Sequence, residues 1–485
     1  MNTVLSTCVN IYRKFAAIPL VFLGIGVQRA WASLLFDSSI FPLMDPSIYA
    51  AGVACTAIVN FAVAFFAARI TPLCKQVPLI ACATAGAVAG SLCIVADAYV
   101  FQSTVLSYIG SMLALSATGI TMLLWCEFFS SLNPTRVALV YSVAILFGAV
   151  ISYFMSGMSL DVLWPLVIIM PLVNAVWAVD SIHRVNKSPT TPETSSKPLV
   201  SYPVKPVVLM ATVSFASGFI GIANNGSNVG SLIGTCTIPL VIIAVIFSGS
   251  SKVQLNSIYR LAMPAITIAM IALLPAHELT NLAAVILFDG GDTALAIMTM
   301  IIFSNISYRY GTNVLRLNGI ERGVRYTAFT FGWLLQSMFA FALDSTFFGS
   351  AKIIVAAGTV VVFSIMFLSN HDLFSRWGIR LIDDGETTGE RENSALRAIV
   401  CENLSKSHQL TAREQEVLLL LSQKMTPLEI EKSLVIAQGT LKAHIGHIYS
   451  KLGIHARSEL YSLLKNEEVC YLNSLSKNGG NLRKR

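Results

Sequence analysis

Three side chains carry charge where the surrounding chain is apolar. Arg29 interrupts a run that extends from Phe15 to Phe36, and Asp289 and Asp292 flank a glycine pair in Phe288-Asp289-Gly290-Gly291-Asp292. A charge at the centre of a membrane helix costs about 2.5–3.5 kcal/mol on insertion scales, so each needs a reason. Asp289 falls about 15 Å into its run at a rise of about 1.5 Å per residue, near the middle of a ~30 Å hydrocarbon layer. Arg29 sits seven residues from the outer end of its own run, so the two are placed to meet in an aqueous cavity. Gly290-Gly291 between the aspartates would let a ligand or another backbone approach closely. Two chemistries fit Arg29, Asp289 and Asp292: a pocket for a solute or ion, or a structural ion pair that locks two parts of the protein. Glu127 and Arg136 are expected as anchors at a membrane interface, and Asp97, near an outer helix end, is expected to reach water.

A second set of chemically informative residues lies near the C-terminus. Thr411 and Glu414, then Thr426 and Glu429, have the spacing of capping boxes, and Pro427 takes the favoured first helical position. In the next helix Leu441, Ile445, Ile448 and Leu452 share one face, while Lys442, Ala443, Gly446 and His447 lie away from it, and Gly453 is a natural stop. A fourth helix from about Arg457 to Lys465 carries Leu460, Leu463 and Leu464. That is more apolar surface than so small a core needs, so these leucines are expected to form a dimer contact. From Ser405 onward twelve Lys and Arg oppose seven Glu, a balance of +5. A basic helical domain is the electrostatic footprint of a nucleic-acid partner.

Other chemistry is not indicated. The nine cysteines are scattered without a C-x-x-C pair. No nucleophile–base motif, metal-ligand spacing or phosphate loop is present, so no enzyme, cofactor or metal site is expected.

The elements that must position these residues follow from composition. Hydrophobic residues make up 55% of the 485 and charged ones 12%, against about 25% charged in a soluble domain. Twelve apolar runs are long enough to be membrane helices: near 15–36, 47–70, 77–100, 104–131, 136–157, 160–181, 206–224, 229–249, 257–275, 279–306, 325–344 and 350–369. The first run is expected to be retained, because Arg29 sits beside the cleavage-like triplet Ala30-Trp31-Ala32 and the apolar stretch resumes through Leu34–Phe36. Alternate connections hold fifteen Lys and Arg, among them Arg309, Arg316, Arg322 and Arg325, and the other side holds only Lys352. By the positive-inside rule both termini face the cytoplasm. Between the sixth and seventh runs, His183 to Lys205 carries four prolines among Ser and Thr and reads as an exposed linker.

Two resemblances follow from these patterns. Six runs, a long cytoplasmic linker and six more runs resemble the major facilitator superfamily over about residues 15–370. The resemblance implies that the first and tenth spans line a central cavity, which Arg29 and Asp289 would share. That family's Gly-x-x-x-Asp-Arg-x-Gly pattern is absent, since residues 67–75 read Ala-Ala-Arg-Ile-Thr-Pro-Leu-Cys-Lys. Leu410–Leu464 resembles the LuxR/GerE DNA-binding domain through Leu-Thr-x-Arg-Glu-x-Glu-Val-Leu, Thr-x-x-Glu-Ile, Gly-Thr-Leu-Lys-x-His and Ile-x-x-Lys-Leu-Gly. It departs from that family at Lys424, Glu431, Ala437 and Ala456. The resemblance implies a third helix in the major groove, with Thr440, Lys442, Ala443, Gly446 and His447 facing DNA and with Lys442 and Lys451 as phosphate or guanine partners.

Together these readings imply an all-α protein: a polytopic membrane bundle of six plus six spans (1–182 and 206–370, joined by 183–205), a linker (371–404), a four-helix LuxR-type helix-turn-helix domain (405–470) and a basic tail (471–485). The implied function is a membrane-anchored one-component transcriptional regulator in a bacterial inner membrane. A transporter with a regulatory DNA-binding appendage is the alternative. The implied partners are promoter DNA, membrane lipid, a small-molecule or ion signal, and a second copy of the chain.

Overall fold

Short side chains with a free acceptor open several of the helices. Asp45 accepts from the Ser47 amide at 2.7 Å just before Pro46, and Asn133 accepts from the Arg136 amide at 2.7 Å just before Pro134. Each cap satisfies an amide left bare by the first turn, and a proline at the first position has no amide to satisfy. The structure, a computed structural model, describes residues 18–37, 40, 41, 45–102, 104–185, 202–220, 229–248, 255–273, 278–310, 312–342, 345–367, 400–405, 407–422, 425–434, 438–464, 466 and 467. Among them all regular structure is helical. The chain divides into two compact units, one of Met1–Tyr308 with Thr312–Ser369, the other containing Asn370–Arg485.

Among the described residues the first unit holds twelve long helices in the order of the twelve expected runs. They are α1 (Gly24–Leu35, entered through a 3₁₀ turn at Leu20–Leu23), α2 (Pro46–Ile70), α3 (Val77–Ala96), α4 (Thr104–Ser130), α5 (Pro134–Ser156) and α6 (Leu160–Val185), then α7 (Val204–Ile220), α8 (Val229–Ser248), α9 (Leu255–Ala272), α10 (Glu278–Tyr310), α11 (Val314–Ala342) and α12 (Ser345–Phe367). Seven of them, α2 to α6 with α8 and α10, are by themselves long and apolar enough to cross a membrane, and α1, α7, α9 and α12 contain shorter apolar stretches. This is a multi-pass membrane protein. Most of the 183–205 linker lies outside the described residues.

The eleventh helix corrects the sequence reading. It begins at Val314, not near 325, and takes in Arg316, Glu321, Arg322 and Arg325. Asn313 caps it, accepting from the Arg316 amide at 3.0 Å. Arg322 and Arg325 therefore do not belong to a cytoplasmic loop; Arg322 is 8% exposed inside the unit. Hydropathy hid the start of this helix because it carries Arg316, which is exposed, and then Glu321 and Arg322, which neighbouring helices cover. Two smaller expectations also change. Asp97 does not reach water: it is buried in a π-helical turn, Asp97–Phe101, and accepts from Ser107 Oγ. Glu127 accepts from the Cys74 amide at 3.1 Å and so holds the 3₁₀ turn Leu73–Lys75 that links α2 to α3.

Packing within the unit repeats. A Cβ at Gly26 of α1 would collide with the Ala144 carbonyl of α5, and one at Gly148 with the Gly26 carbonyl. The same reciprocal approach recurs between α7 and α11, where Gly218 meets Phe329 and Gly332 meets Phe215. Backbones this close need residues without side chains, the usual device where lipid supplies no hydrophobic drive. Across the halves α2 packs on α11 and α5 on α8. The first helix thus relates to the fifth as the seventh relates to the eleventh, and the halves exchange matching helices.

The second unit is a small bundle: a helical stretch at 400–405, then α13 (Ala412–Ser422), α14 (Pro427–Leu434), α15 (Gln438–Leu452) and α16 (457–464). Both expected capping boxes close. Thr411 and Glu414 bond reciprocally at 2.8 and 3.3 Å, and Thr426 and Glu429 at 2.8 and 3.4 Å. One core joins Val400, Leu404, Val417, Leu421, Ile430, Leu441, Ile448 and Leu452 with Leu460 and Leu464. Leu460 is 0% and Leu464 3% exposed. The expected dimer contact through Leu460, Leu463 and Leu464 is corrected accordingly, with only Leu463 half-buried at the edge. A bundle of four short helices has few apolar residues, and it spends these two on its own interior. The greater part of the 371–404 linker and all of the 471–485 tail lie outside the described residues.

Candidate functional site

Two places combine exposure or enclosure with suitable chemistry. The first is the outer face of α15. Leu441, Ile448 and Leu452 are buried and Ile445 is half-buried, which turns Thr440, Lys442, Ala443, Gly446 and His447 outward, all of them exposed. A Cβ added at Gly446 would meet nothing within 4 Å, so no part of the domain covers the middle of this face. Gly453, at φ +67°, ends the helix in a left-handed turn that a side chain would strain. His447 Nδ1 lies 3.7 Å from Glu414 Oε1, a pairing that carries charge only when the imidazole is protonated. The face therefore presents a lysine, an imidazole and two small residues. Such a surface can approach a phosphate backbone and enter a groove.

The second place is a cavity of about 370 Å³ inside the membrane unit. Arg29 enters it from α1, Asp289 and Asp292 from α10, Arg325 from α11, and Ser214 from α7. Sequence reasoning named the first three, and the structure brings them to one cavity; it missed Arg325, which it had assigned to a loop. Arg325 Nη2 lies 3.1 Å from Asp292 Oδ1 and its Nε donates to Ser214 Oγ at 3.2 Å. Asp289 is hydrogen-bonded to Ser231 of α8 and lies within electrostatic reach of Arg29. Among the described residues Arg29 has no ion-pair partner within 4 Å. Its helix is fixed from the other side: Gln28 Nε2 donates to the Thr118 carbonyl at 3.3 Å and Trp31 Nε1 donates to Ser91 Oγ at 3.0 Å. Tyr49 stands in the wall between Phe36 and Phe329, edge-on to both rings.

Comparison with known proteins separates the two places. Residues 408–464 match the GerE family, bacterial regulatory proteins of the luxR family. The C-terminal domain is a LuxR-type helix-turn-helix. The chain is also 32% identical over 86 residues to an HTH-type transcriptional regulator encoded in the exeN 3′ region of Aeromonas salmonicida, a match that covers 17% of this chain and 44% of that protein. The chain thus spans less than half the length of that relative. Among solved structures, a bacterial homologue of the iron transporter ferroportin, outward-facing with soaked iron, aligns with a TM-score of 0.49 at 11% identity over 75% of this chain and 100% of that one. The E. coli fucose:proton symporter aligns with a TM-score of 0.42 at 12% identity over 72% and 98%.

Inside the LuxR-type domain, three basic residues serve the fold. Lys451, expected at DNA, instead donates from Nζ to Glu414 Oε2 at 2.6 Å and to the Gln409 carbonyl at 3.1 Å. The Lys451 bond, helped by the Thr411 amide, lowers the Glu414 pKa to about 2. Arg413 donates to the Leu434 carbonyl at 2.9 Å, satisfying the end of α14, and Arg457 donates to the Met425 carbonyl while lying over the Tyr461 ring. The +5 balance read from sequence is thus partly internal. On the outer face of the LuxR-type domain's α15, Lys442 is the fixed positive charge.

Proposed function

We propose that this protein is a one-component transcriptional regulator, with the membrane unit sensing a signal and the LuxR-type domain binding promoter DNA. The uncovered face of α15 carries this reading: a recognition-type helix with small central residues and a free lysine, in the same chain as a multi-pass membrane unit. Thr440, Lys442, Ala443, Gly446 and His447 form the reading surface, with Lys442 on phosphate. The protein sits in the bacterial inner membrane with both termini in the cytoplasm, where the DNA is. It binds as a homodimer, because paired half-sites call for two recognition helices about 34 Å apart. Arg29, Asp289 and Asp292 form the signal site. Genome-wide mapping of the tagged, full-length protein tests the reading. Discrete promoter peaks that disappear with Lys442→Ala support it, whereas uniform coverage indistinguishable from an untagged strain defeats it.

A further inference from the structure

The charges in the membrane cavity are arranged unequally, and the inequality points to a ligand class. Arg325 and Asp292 neutralise each other at 3.1 Å, and Ser214 takes a further guanidinium hydrogen bond. What remains is one cation and one anion that are not paired with each other. Arg29 stands on α1 without an ion-pair partner among the described residues, and Asp289 stands on α10 with a hydroxyl partner in Ser231. Both helices are held. The Gln28 and Trp31 hydrogen bonds fix α1, while α10 is pressed against α8, where a Cβ on Gly234 would meet Asp289 Cβ at 3.0 Å.

We infer that the ligand of this cavity is a small zwitterion, its anionic group on Arg29 and its cationic group on Asp289. The inference rests on the reading of the cavity as the signal site. A purely anionic ligand would satisfy Arg29 and leave Asp289 facing it without an ionic partner; a purely cationic ligand would reverse the fault, and a neutral one would give neither charge a direct ionic partner. A ligand carrying both signs satisfies both walls at once. Arginine's planar fork matches a carboxylate with two parallel hydrogen bonds, and a carboxylate accepts from an ammonium. Tyr49, Tyr326 and Phe329 line the same space and offer rings to an apolar body or to the face of an ammonium. The volume of about 370 Å³ lies at the small end of ligand pockets, which run from about 300 to 1,000 Å³.

The test uses the full-length protein in lipid nanodiscs, with thermal unfolding and calorimetric titration as readouts. The probes are the standard amino acids and glycine betaine, each amino acid being matched by its decarboxylated amine and its deaminated acid. At least one zwitterion is expected to raise the unfolding midpoint in a concentration-dependent way, while its matched amine and acid do not. Arg29→Gln and Asp289→Asn are each expected to weaken that binding about tenfold or more, with Arg29→Lys and Asp289→Glu retaining part of it. Should Arg29→Gln fail to fold, Arg29→Lys and Asp289→Asn carry the comparison. Stabilisation by an amine or an acid alone, no response to any zwitterion, or undiminished binding by the variants overturns the inference. Promoter occupancy in cells separates it from the sensing reading. A zwitterion that binds without changing occupancy defeats sensing and leaves the ligand class intact, and a ligand of another class that binds and changes occupancy does the opposite.

Discussion

Lys451 and Glu414 are 37 positions apart in the chain and 2.6 Å apart in the fold, and they show what single residues contribute to the DNA-binding domain. Glu414 caps α13 and is nearly buried, so its charge depends on Lys451. Lys451→Ala is expected to destabilise the domain by about 1–3 kcal/mol, since a buried charged group loses its partner, and chemical denaturation of a 394–485 fragment measures it. The fragment carries its own core. Because the folded pKa of Glu414 is about 2, below the ordinary carboxylate value of about 4.3, the pairing contributes stability at neutral pH. That contribution fades as the pH falls from about 5 towards 2, and Lys451→Ala should flatten the loss. Lys442 behaves differently. Lys442→Ala should leave stability unchanged, weaken all DNA sequences about equally and lower the salt slope by about one; anisotropy titrations at several salt concentrations check this. The capping boxes were legible in the sequence because both partners sit within one turn. The role of Lys451 was not, because no local spacing reveals a bond between the first and third helices of a domain.

At the scale of elements, the glycine crossings make a sharper claim than hydropathy can. Gly148→Leu and Gly218→Leu should each prevent a helix pair from closing, α1 with α5 and α7 with α11, whereas Gly157→Leu, at a position where a Cβ meets its nearest atom at 3.7 Å, should be tolerated. Yield and thermal stability of the detergent-solubilised variants measure the difference; equal behaviour of all three would remove the crossings from the account of folding. Hydropathy located twelve helices because lipid-facing and buried positions are both apolar. It failed at α11 because Arg316, Glu321, Arg322 and Arg325 together look like a loop, although neighbouring helices bury Glu321 and Arg322. The leucines of α16 failed for the converse reason: an amphipathic helix does not announce whether its apolar face meets its own domain or a second copy.

For the whole molecule, cytoplasmic termini are the requirement that joins membrane and DNA. A phosphatase that works only outside the inner membrane, fused after Asn370, should be inactive, and a fluorescent protein at the same point should be bright; activity of the phosphatase would reverse the topology. Three of the fifteen expected inside cations, Arg316, Arg322 and Arg325, belong to α11, and the other twelve still favour this orientation (15 − 3 = 12). The cavity has one more consequence. Arg29 and Arg325 against Asp289 and Asp292 sum to zero, and a zwitterion adds nothing to that sum. Moving one elementary charge through the membrane potential is worth about 2.3 kcal/mol per 100 mV, but a balanced site that rearranges as a unit carries no gating charge. Its occupancy should therefore track the concentration of ligand and ignore the energised state of the cell, so that collapsing the potential with an ionophore leaves the response where it was.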